Sequence, residues 1–213
     1  MSVLIEVFAN EIAMIKDPVL KKHVIEIIKL CPDYVSRMPS SSTGKYHPPD
    51  EVGKENTKGM IIHIKRLCAL APEMARKHSD DEYPETNFLV AGAILHDIFK
   101  NGEVDSSGNP KSKWTNKNHP RLIYELIHKY IEDNNLTEDE AGMKLRTVAN
   151  ACLFHEGRWT VEQSRDSFKA HDLRFSGDSV MDEFDKQVCR DMHEIDYWAS
   201  RRTMFNIMQL GAF

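Results

Sequence analysis

One apolar stretch of the chain ends on side chains that can bind a metal ion. Residues 88–95 read Phe-Leu-Val-Ala-Gly-Ala-Ile-Leu, and His96, Asp97 and, a little further on, Lys100 follow them. A carboxylate and an imidazole at the end of a buried helix are costly, on the order of several kcal/mol for each unpaired polar group. The stretch therefore favours a bound ligand at this point, and a metal ion suits both side chains.

A second His-Asp pair occurs at residues 171–172, so the dipeptide alone is weak support. With ten histidines in the chain, one such pair is roughly the chance expectation. The second pair follows a polar segment, whereas the pair at 96–97 ends a helix that should be buried on all sides. One turn earlier, Gly92 and Ala93 leave room for a metal or for the backbone of another helix.

Helical periodicity predicts the elements that must position these residues. No segment alternates as a strand would, and short connections join most of the amphipathic stretches, which favours an all-α, single-domain helical bundle. Proline at the first helical position and a capping box at Thr137 mark three of the helix starts. The predicted helices cover residues 2–15, 18–31, 57–77, 85–97, 119–131, 137–155 and 181–207.

Residues 31–56 form a long segment rich in proline, serine and glycine. Loops of this length in a compact domain are uncommon and are either functional or disordered. We therefore expect N-terminal helices (1–30) that pack on the core, a long loop or lid (31–56), and a metal-dependent core (57–213).

Composition indicates an ordinary globular protein. The 213 residues carry a net charge of −5, which gives no global attraction to nucleic acid or anionic membranes. No apolar run approaches the roughly 20 residues that span a bilayer, and the N-terminus lacks the pattern of a signal peptide. The four scattered cysteines fit neither a zinc ribbon nor a disulfide framework. We expect a cytoplasmic protein without membrane attachment, and a homo-oligomer is left open.

Three motifs together resemble the HD-domain superfamily of metal-dependent phosphohydrolases. Gly-Met-Ile-Ile-His, ending at His63, resembles the approach to the first histidine of that family. Ala-Ile-Leu-His-Asp-Ile-Phe-Lys, ending at Lys100, resembles its central signature. Ile-Asp-Tyr-Trp-Ala-Ser-Arg, around Asp196, resembles its distal aspartate helix. The resemblance implies an all-α HD-type helical bundle.

Two further positions resemble the branch of the superfamily that holds two metals. His119, followed by proline, matches its third-helix histidine, and His155, followed by glutamate, matches its His-Glu segment. Asp97 is by resemblance the carboxylate that bridges the two metals. The resemblance implies the ligands His63, His96, Asp97 and Asp196 for the first metal, and Asp97, His119 and His155 for the second.

The implied chemistry is hydrolysis of a phosphoester of a nucleotide or short oligonucleotide by a hydroxide held between two divalent transition metals. Imidazole and carboxylate ligands favour iron or manganese, with zinc, nickel or cobalt as alternatives. Asp97 and Lys100 are the expected catalytic residues. Lys100, Arg158 and Arg201 are expected to bind the substrate phosphate, and Lys65 is a weaker candidate. A non-catalytic metal- or nucleotide-binding sensor of the same fold is the alternative.

The sequence departs from the family pattern at two positions, and each ligand-type histidine also has a simpler explanation. Phe99 stands where the family often has glycine, and Phe154 stands where a cyclic-dinucleotide branch has a further histidine. Taken singly, the ligand-type histidines have ordinary roles as core, capping or helix-terminal residues. His193 has either a supporting or a packing role, and His47 reaches the site only if the long segment folds over it.

Overall fold

The computed structural model describes residues 2–40, 59–78, 83–157 and 181–200. These residues form eight α-helices, and the one β-type pairing among them is an isolated bridge between Val104 and Pro110. The all-α prediction is confirmed. None of the described helices has both the length and the apolar character needed to cross a membrane. The helices are α1 (Val3–Val7), α2 (Ala9–Met14), α3 (Pro18–Leu30), α4 (Gly59–Ala75), α5 (Tyr83–Leu95), α6 (His119–Asp133), α7 (Glu140–Phe154) and α8 (Glu183–Ala199).

Helix α5 lies at the centre of the bundle. Every residue from 85 to 98 is buried, as its apolar sequence predicts. The helix packs against α4, α7 and α8, and also against α2 and α3. A Cβ atom at Gly92 would lie 3.4 Å from Met192 Sδ and 3.5 Å from Ala151 Cβ. The face of α5 that carries Gly92 therefore packs against α7 and α8. The space beside Gly92 is therefore filled by helix packing.

The N-terminal segment docks on α5 through a buried amide. Asn87 Oδ1 accepts hydrogen bonds from the backbone N–H of Lys16, at 2.6 Å, and of Asp17, at 3.2 Å. Asp17 in turn caps α3 by accepting from the N–H of Leu20 at 2.9 Å, as its place before proline predicts. Its carboxylate also forms an ion pair with Lys144 of α7. One aspartate thus joins α3 to the core helices.

Two predicted helix boundaries are wrong. The helix predicted over 2–15 divides at Phe8, whose φ of −104° and ψ of 19° leave the helical region while its side chain is fully buried. The helix predicted to begin at Thr137 begins instead at Glu140. Asn135 adopts a φ of 55°, and the following N–H donates to Ile131 O at 2.9 Å. This left-handed turn follows the end of α6, and Asp139, rather than Thr137, occupies the N-cap position of α7.

The long segment predicted as a loop or lid begins with ordered structure. Residues Asp33–Arg37 form a 3-10 turn, and the buried Tyr34 hydroxyl donates to Gly102 O at 2.6 Å. The rest of the segment, from residue 41, lies outside the described residues, as do the residues after 200 to which the last helix was predicted to extend. The division of the chain at residues 30 and 56 stays a prediction.

Two helical glycines provide a matched test of this packing. A Cβ atom at Gly142, in the first turn of α7, would lie 1.9 Å from the backbone oxygen of Leu136. Gly142→Ala is therefore expected to lower the free energy of unfolding by about 2 kcal/mol, because backbone must move to relieve the overlap. Urea unfolding with chelator present measures the change.

Gly92→Ala is the control for helix propensity. Its nearest contacts are ordinary van der Waals distances, so the substitution is expected to be neutral or to stabilise by up to about 1 kcal/mol. A Gly142→Ala protein as stable as the Gly92→Ala protein would contradict the packing described at the start of α7.

Candidate metal centre

Six ligand-type side chains from five helical elements converge near the C-terminal end of α5. Five of them are at least nine-tenths buried, whereas the Asp196 side chain is 21% exposed and opens the cluster towards solvent. The six are His63 within α4, His96 and Asp97 directly after α5, His119 at the first residue of α6, His155 directly after α7, and Asp196 in the last turn of α8.

The two carboxylate oxygens of Asp97 face two different sets of histidines. Oδ2 lies 3.6 Å from His63 Nε2 and 3.3 Å from His96 Nε2. Oδ1 lies 2.9 Å from His119 Nε2 and 3.6 Å from His155 Nε2. Asp97 therefore stands between two groups, each of which brings its ligand-type atoms within 4.8 Å of one another.

Asp196 joins the group on the Oδ2 side. Its Oδ1 lies 3.0 Å from His63 Nε2 and 3.9 Å from His96 Nε2. The last turn of α8 thereby adds a second carboxylate to that group. The helix-terminal position of most of these residues explains how several helices reach one point without being interrupted.

Backbone carbonyls orient three of the imidazoles in the same way. The Nδ1 of His96 lies 2.9 Å from Ala93 O, that of His119 lies 2.7 Å from Asn116 O, and that of His155 lies 2.7 Å from Cys152 O. Because a carbonyl only accepts, each Nδ1 carries the proton and donates it. In the neutral form of each imidazole, Nε2 then turns a lone pair towards Asp97, which is the arrangement of metal-binding histidines.

The loop between α5 and α6 links the residues after α5 to His119 through hydrogen bonds. The N–H of Asn116 donates to Lys100 O at 2.7 Å, while its carbonyl accepts from His119 Nδ1. One residue of a polar loop thus connects the turn after Asp97 to the start of α6. Sequence reasoning missed this role, because an asparagine in a polar loop has no distinguishing pattern.

The lone pairs that meet in this cluster fit a bound cation. His119 Nε2 and His155 Nε2 are 3.3 Å apart, and in the neutral tautomers with the proton on Nδ1 neither nitrogen has a proton to share. Asp97 Oδ1 is buried, and no donor among the described residues forms a hydrogen bond with it. Acceptors that face one another in a buried space are unfavourable unless a positive charge lies among them. Nitrogen and carboxylate donors together suit divalent transition metals.

The pKa values of His155, Asp97 and Asp196 favour metal ligands, whereas at His96 burial would lower the pKa but the Asp97 carboxylate outweighs it and raises the pKa. Burial, and then the neighbouring His96, lower the pKa of His155 to about 3, so this imidazole is neutral at pH 7. Burial would favour the protonated acid of Asp97, but the Lys100 ammonium and His96 outweigh it and hold its pKa well below the usual range. Burial acts the same way on Asp196, and its hydrogen bond with His63 lowers the pKa overall.

Lys100 lies beside the cluster, as its spacing from Asp97 predicts. Its Nζ is 2.5 Å from Asp97 Oδ2, and its side chain remains 19% exposed. Burial would lower the pKa of this ammonium, but the Asp97 carboxylate outweighs burial and raises it. Lys100 is therefore a charged group that contacts both the cluster and solvent.

His193 supports the cluster from α8, one of the two roles left open by the sequence. Its Nδ1 lies 2.7 Å from the carbonyl oxygen of His155, which can only accept, so His193 donates to the backbone of a ligand-type residue. Gly157 makes this approach feasible. Its φ is 56°, and a Cβ atom there would lie 2.6 Å from the His193 ring. The spacing from Asp196, one helical turn, was the signal in the sequence.

Several other predicted residues are elsewhere or outside the described part of the chain. Arg158, Arg201 and His47 lie outside the described residues. Lys65 is directed elsewhere: its ammonium pairs with Glu11 Oε2 at 3.0 Å, among the N-terminal helices.

The two departures from the family pattern are packing residues. Phe154 is almost fully buried in a small apolar group that includes Met181 and Cys189. Phe99 is partly buried and lines a surface hollow with Leu30 and Val104, so its ring covers the rim of the bundle. Neither phenylalanine contributes a ligand-type atom to the cluster.

Comparison with known proteins identifies the family. The sequence model of the HD domain matches residues 44–191, more than half of the chain. The chain therefore belongs to the HD domain family of metal-dependent phosphohydrolases. The matched region contains five of the six clustered residues and ends before Asp196. No curated protein and no solved structure matches the chain.

The depressed pKa of His155 predicts a pH dependence of stability in the metal-free protein. Between pH 6.5 and about 3 the unfolded chain binds a proton at this imidazole and the folded chain does not. The contribution of the neutral His155 to the free energy of unfolding is therefore fully present above pH 6.5, and it is lost as the pH falls towards 3. The loss approaches about 1.4 kcal/mol per pH unit for one group. Urea unfolding with chelator between pH 7 and 4.5 measures it.

His155→Gln is the matched variant, because it removes the titrating group and leaves the other histidines in place. Its stability is expected to fall less steeply with decreasing pH than that of the wild type. Parallel slopes for the two proteins would show that the folded chain protonates His155 as readily as the unfolded chain does.

Proposed function

We propose that the chain is a dinuclear phosphohydrolase that cleaves a phosphoester of a nucleotide or short oligonucleotide. Membership of the HD domain family supports the reaction class. Two divalent transition metals, with iron or manganese favoured, are the proposed cofactors. When bound, such metals supply Lewis acidity towards a phosphoryl group and lower the pKa of water.

The position of Asp97 is the observation that carries this proposal. Its two oxygens approach separate histidine pairs, and its pKa is held well below the usual range, so the carboxylate is anionic at neutral pH. A carboxylate with this placement suits a ligand shared by two cations. A site for a single metal would not require the second histidine pair.

The proposed ligands follow the two groups around Asp97. His63, His96 and Asp196 would complete the first metal site with Asp97. His119 and His155 would complete the second site, and the carbonyl contacts at their Nδ1 atoms keep the Nε2 lone pairs available.

Lys100 is the proposed contact to the substrate. Its ammonium is charged, partly exposed and adjacent to Asp97, so it is placed to bind a phosphate oxygen and the charge that develops there. Arg158 and Arg201 are proposed to add further phosphate contacts, and both lie outside the described residues.

A panel of phosphoesters tests the proposed activity. Wild-type protein reconstituted anaerobically with manganese or ferrous iron is expected to hydrolyse at least one mononucleotide, cyclic nucleotide or short oligonucleotide. Asp97→Ala is expected to lower kcat/KM by about 10³ or more, because it removes a ligand of both metals. Released phosphate or nucleotide is measured by chromatography.

His128→Ala is the control for truncation of a side chain on α6 that lies away from the cluster. His128 stacks on Tyr124, with ring centroids 4.2 Å apart, and shares no contact with the cluster. Equal product release by wild type and Asp97→Ala would show that the activity does not belong to this site. A metal-loaded wild type that binds nucleotides without product release would instead favour the non-catalytic sensor.

Substitution of Lys100 separates substrate binding from metal binding. Lys100→Gln is expected to lower kcat/KM by about 10²–10³ while metal content stays at the wild-type level, because the lost charge faces the phosphate. Steady-state kinetics and metal analysis on the same preparation measure both quantities.

Lys129→Gln removes an exposed ammonium that pairs with Asp133 and is expected to leave both quantities unchanged. If Lys100→Gln lost metal in proportion to activity, the lysine would act on Asp97 alone and the proposed phosphate contact would be wrong.

A further inference from the structure

A second group of ligand-type residues lies at the opposite end of α5. His78 follows α4, Glu85 lies in the first turn of α5, and Asp191 lies in the middle of α8. One ligand atom from each residue lies within 4.8 Å of the others. Glu85 precedes His96 by eleven residues, about 16 Å along a helix, so this group is distinct from the candidate metal centre.

The two carboxyl groups are deeply buried and incompletely satisfied. Glu85 is 7% exposed and Asp191 is 2% exposed. Glu85 Oε1 and Asp191 Oδ2 are both buried, and among the described residues no hydrogen-bond partner reaches either atom. Buried carboxylates without donors are costly, and two of them close together repel. The pair therefore requires a positive charge or a shared proton.

The remaining contacts orient the group without filling that requirement. Asp191 Oδ1 lies 3.2 Å from His78 Nε2 and accepts from Gln187 Nε2 at 3.0 Å. The Gln187 amide also lies 3.0 Å from His78 Nε2. These contacts hold the His78 imidazole next to Oδ1 of Asp191. Among the described residues, no donor reaches Oδ2 of Asp191.

We infer that His78, Glu85 and Asp191 bind a divalent transition cation that joins α4, α5 and α8. One imidazole and two carboxylates are donors that manganese and zinc accept, and the two carboxylates balance the charge of a divalent ion. The His78 side chain is 37% exposed, which gives the ion a path from solvent. The three helices joined here also carry His63, the His96-Asp97 pair and Asp196.

A shared proton is the competing occupant. Burial, and then the hydrogen bond and charge of Asp191, raise the pKa of Glu85 to about 9, so without a cation Glu85 keeps its proton at neutral pH. A proton bridges two carboxylate oxygens and leaves the His78 imidazole with its contacts to Asp191 and Gln187 alone. A cation uses all three groups and releases the proton, so its binding strengthens as the pH rises.

Manganese binding to the full chain tests the inference. Mn²⁺ is titrated into chelator-treated protein, and free Mn²⁺ is counted by electron paramagnetic resonance. The Asp97→Ala chain is expected to retain one equivalent of bound Mn²⁺ and to show a higher Tm when it is bound. Adding Glu85→Gln is expected to abolish both effects, because a carboxylate ligand is lost.

The variants are chosen so that folding and binding are separable. Glu85→Gln keeps the size of the side chain and a donor towards Asp191, so the apo Tm and circular dichroism should match those of the parent. In the wild-type background, the same substitution is expected to remove one equivalent of Mn²⁺. Glu194→Gln is the matched control, since this half-exposed carboxylate on α8 pairs with Lys77 instead.

Two results would overturn the inference. One is an Asp97→Ala chain that folds and binds no Mn²⁺. The other is equal Mn²⁺ binding with glutamate and with glutamine at position 85, which leaves the shared proton as the occupant. Both results are independent of phosphoester hydrolysis, which the substrate panel measures at the other end of α5.

Discussion

Asp97 places an anionic carboxylate in the interior, at the end of a helix whose residues from 85 onward are all buried. A single charge in such a place is unfavourable unless several groups compensate it. The Lys100 ammonium supplies one contact, but it reaches only one of the two oxygens. The other oxygen faces two imidazoles whose inner nitrogens carry lone pairs, and a metal ion compensates all of these groups at once.

In this bundle, helix ends supply most of the ligand-type side chains. Side chains just beyond a helix terminus are no longer committed to helix packing, and nearby carbonyls of the last turn remain free to accept hydrogen bonds. His96 and His155 each use the carbonyl three residues earlier in this way. Helix α5 stays apolar up to this point, so the helices around it can pack closely while their ends converge.

Helix α8 connects the two ends of α5. Asp196 lies at the candidate metal centre, while Asp191, less than two turns earlier, lies in the second group with Glu85. The same helix also carries His193, which donates to the backbone of His155. A cation bound at the second group would therefore hold the helix that supplies a ligand and a supporting hydrogen bond to the first.

The fold class and the family could be predicted from the sequence alone, because a 3.6-residue apolar period and an ordered series of ligand-type residues can be read directly from the chain. The sequence also placed His63, His96, Asp97, His119, His155 and Asp196 in one hypothesis. The resemblance already implied that Asp97 stands between two histidine sets, and packing adds which oxygen faces which set: Oδ2 faces His63 and His96, and Oδ1 faces His119 and His155. The tertiary structure alone brought His78, Glu85 and Asp191 together, since residues from three helices become neighbours only through packing. The helix break at Phe8, where a fully buried ring stands outside the helical region, and the start of α7 at Glu140 were likewise seen only in the structure, because helical periodicity does not fix helix ends.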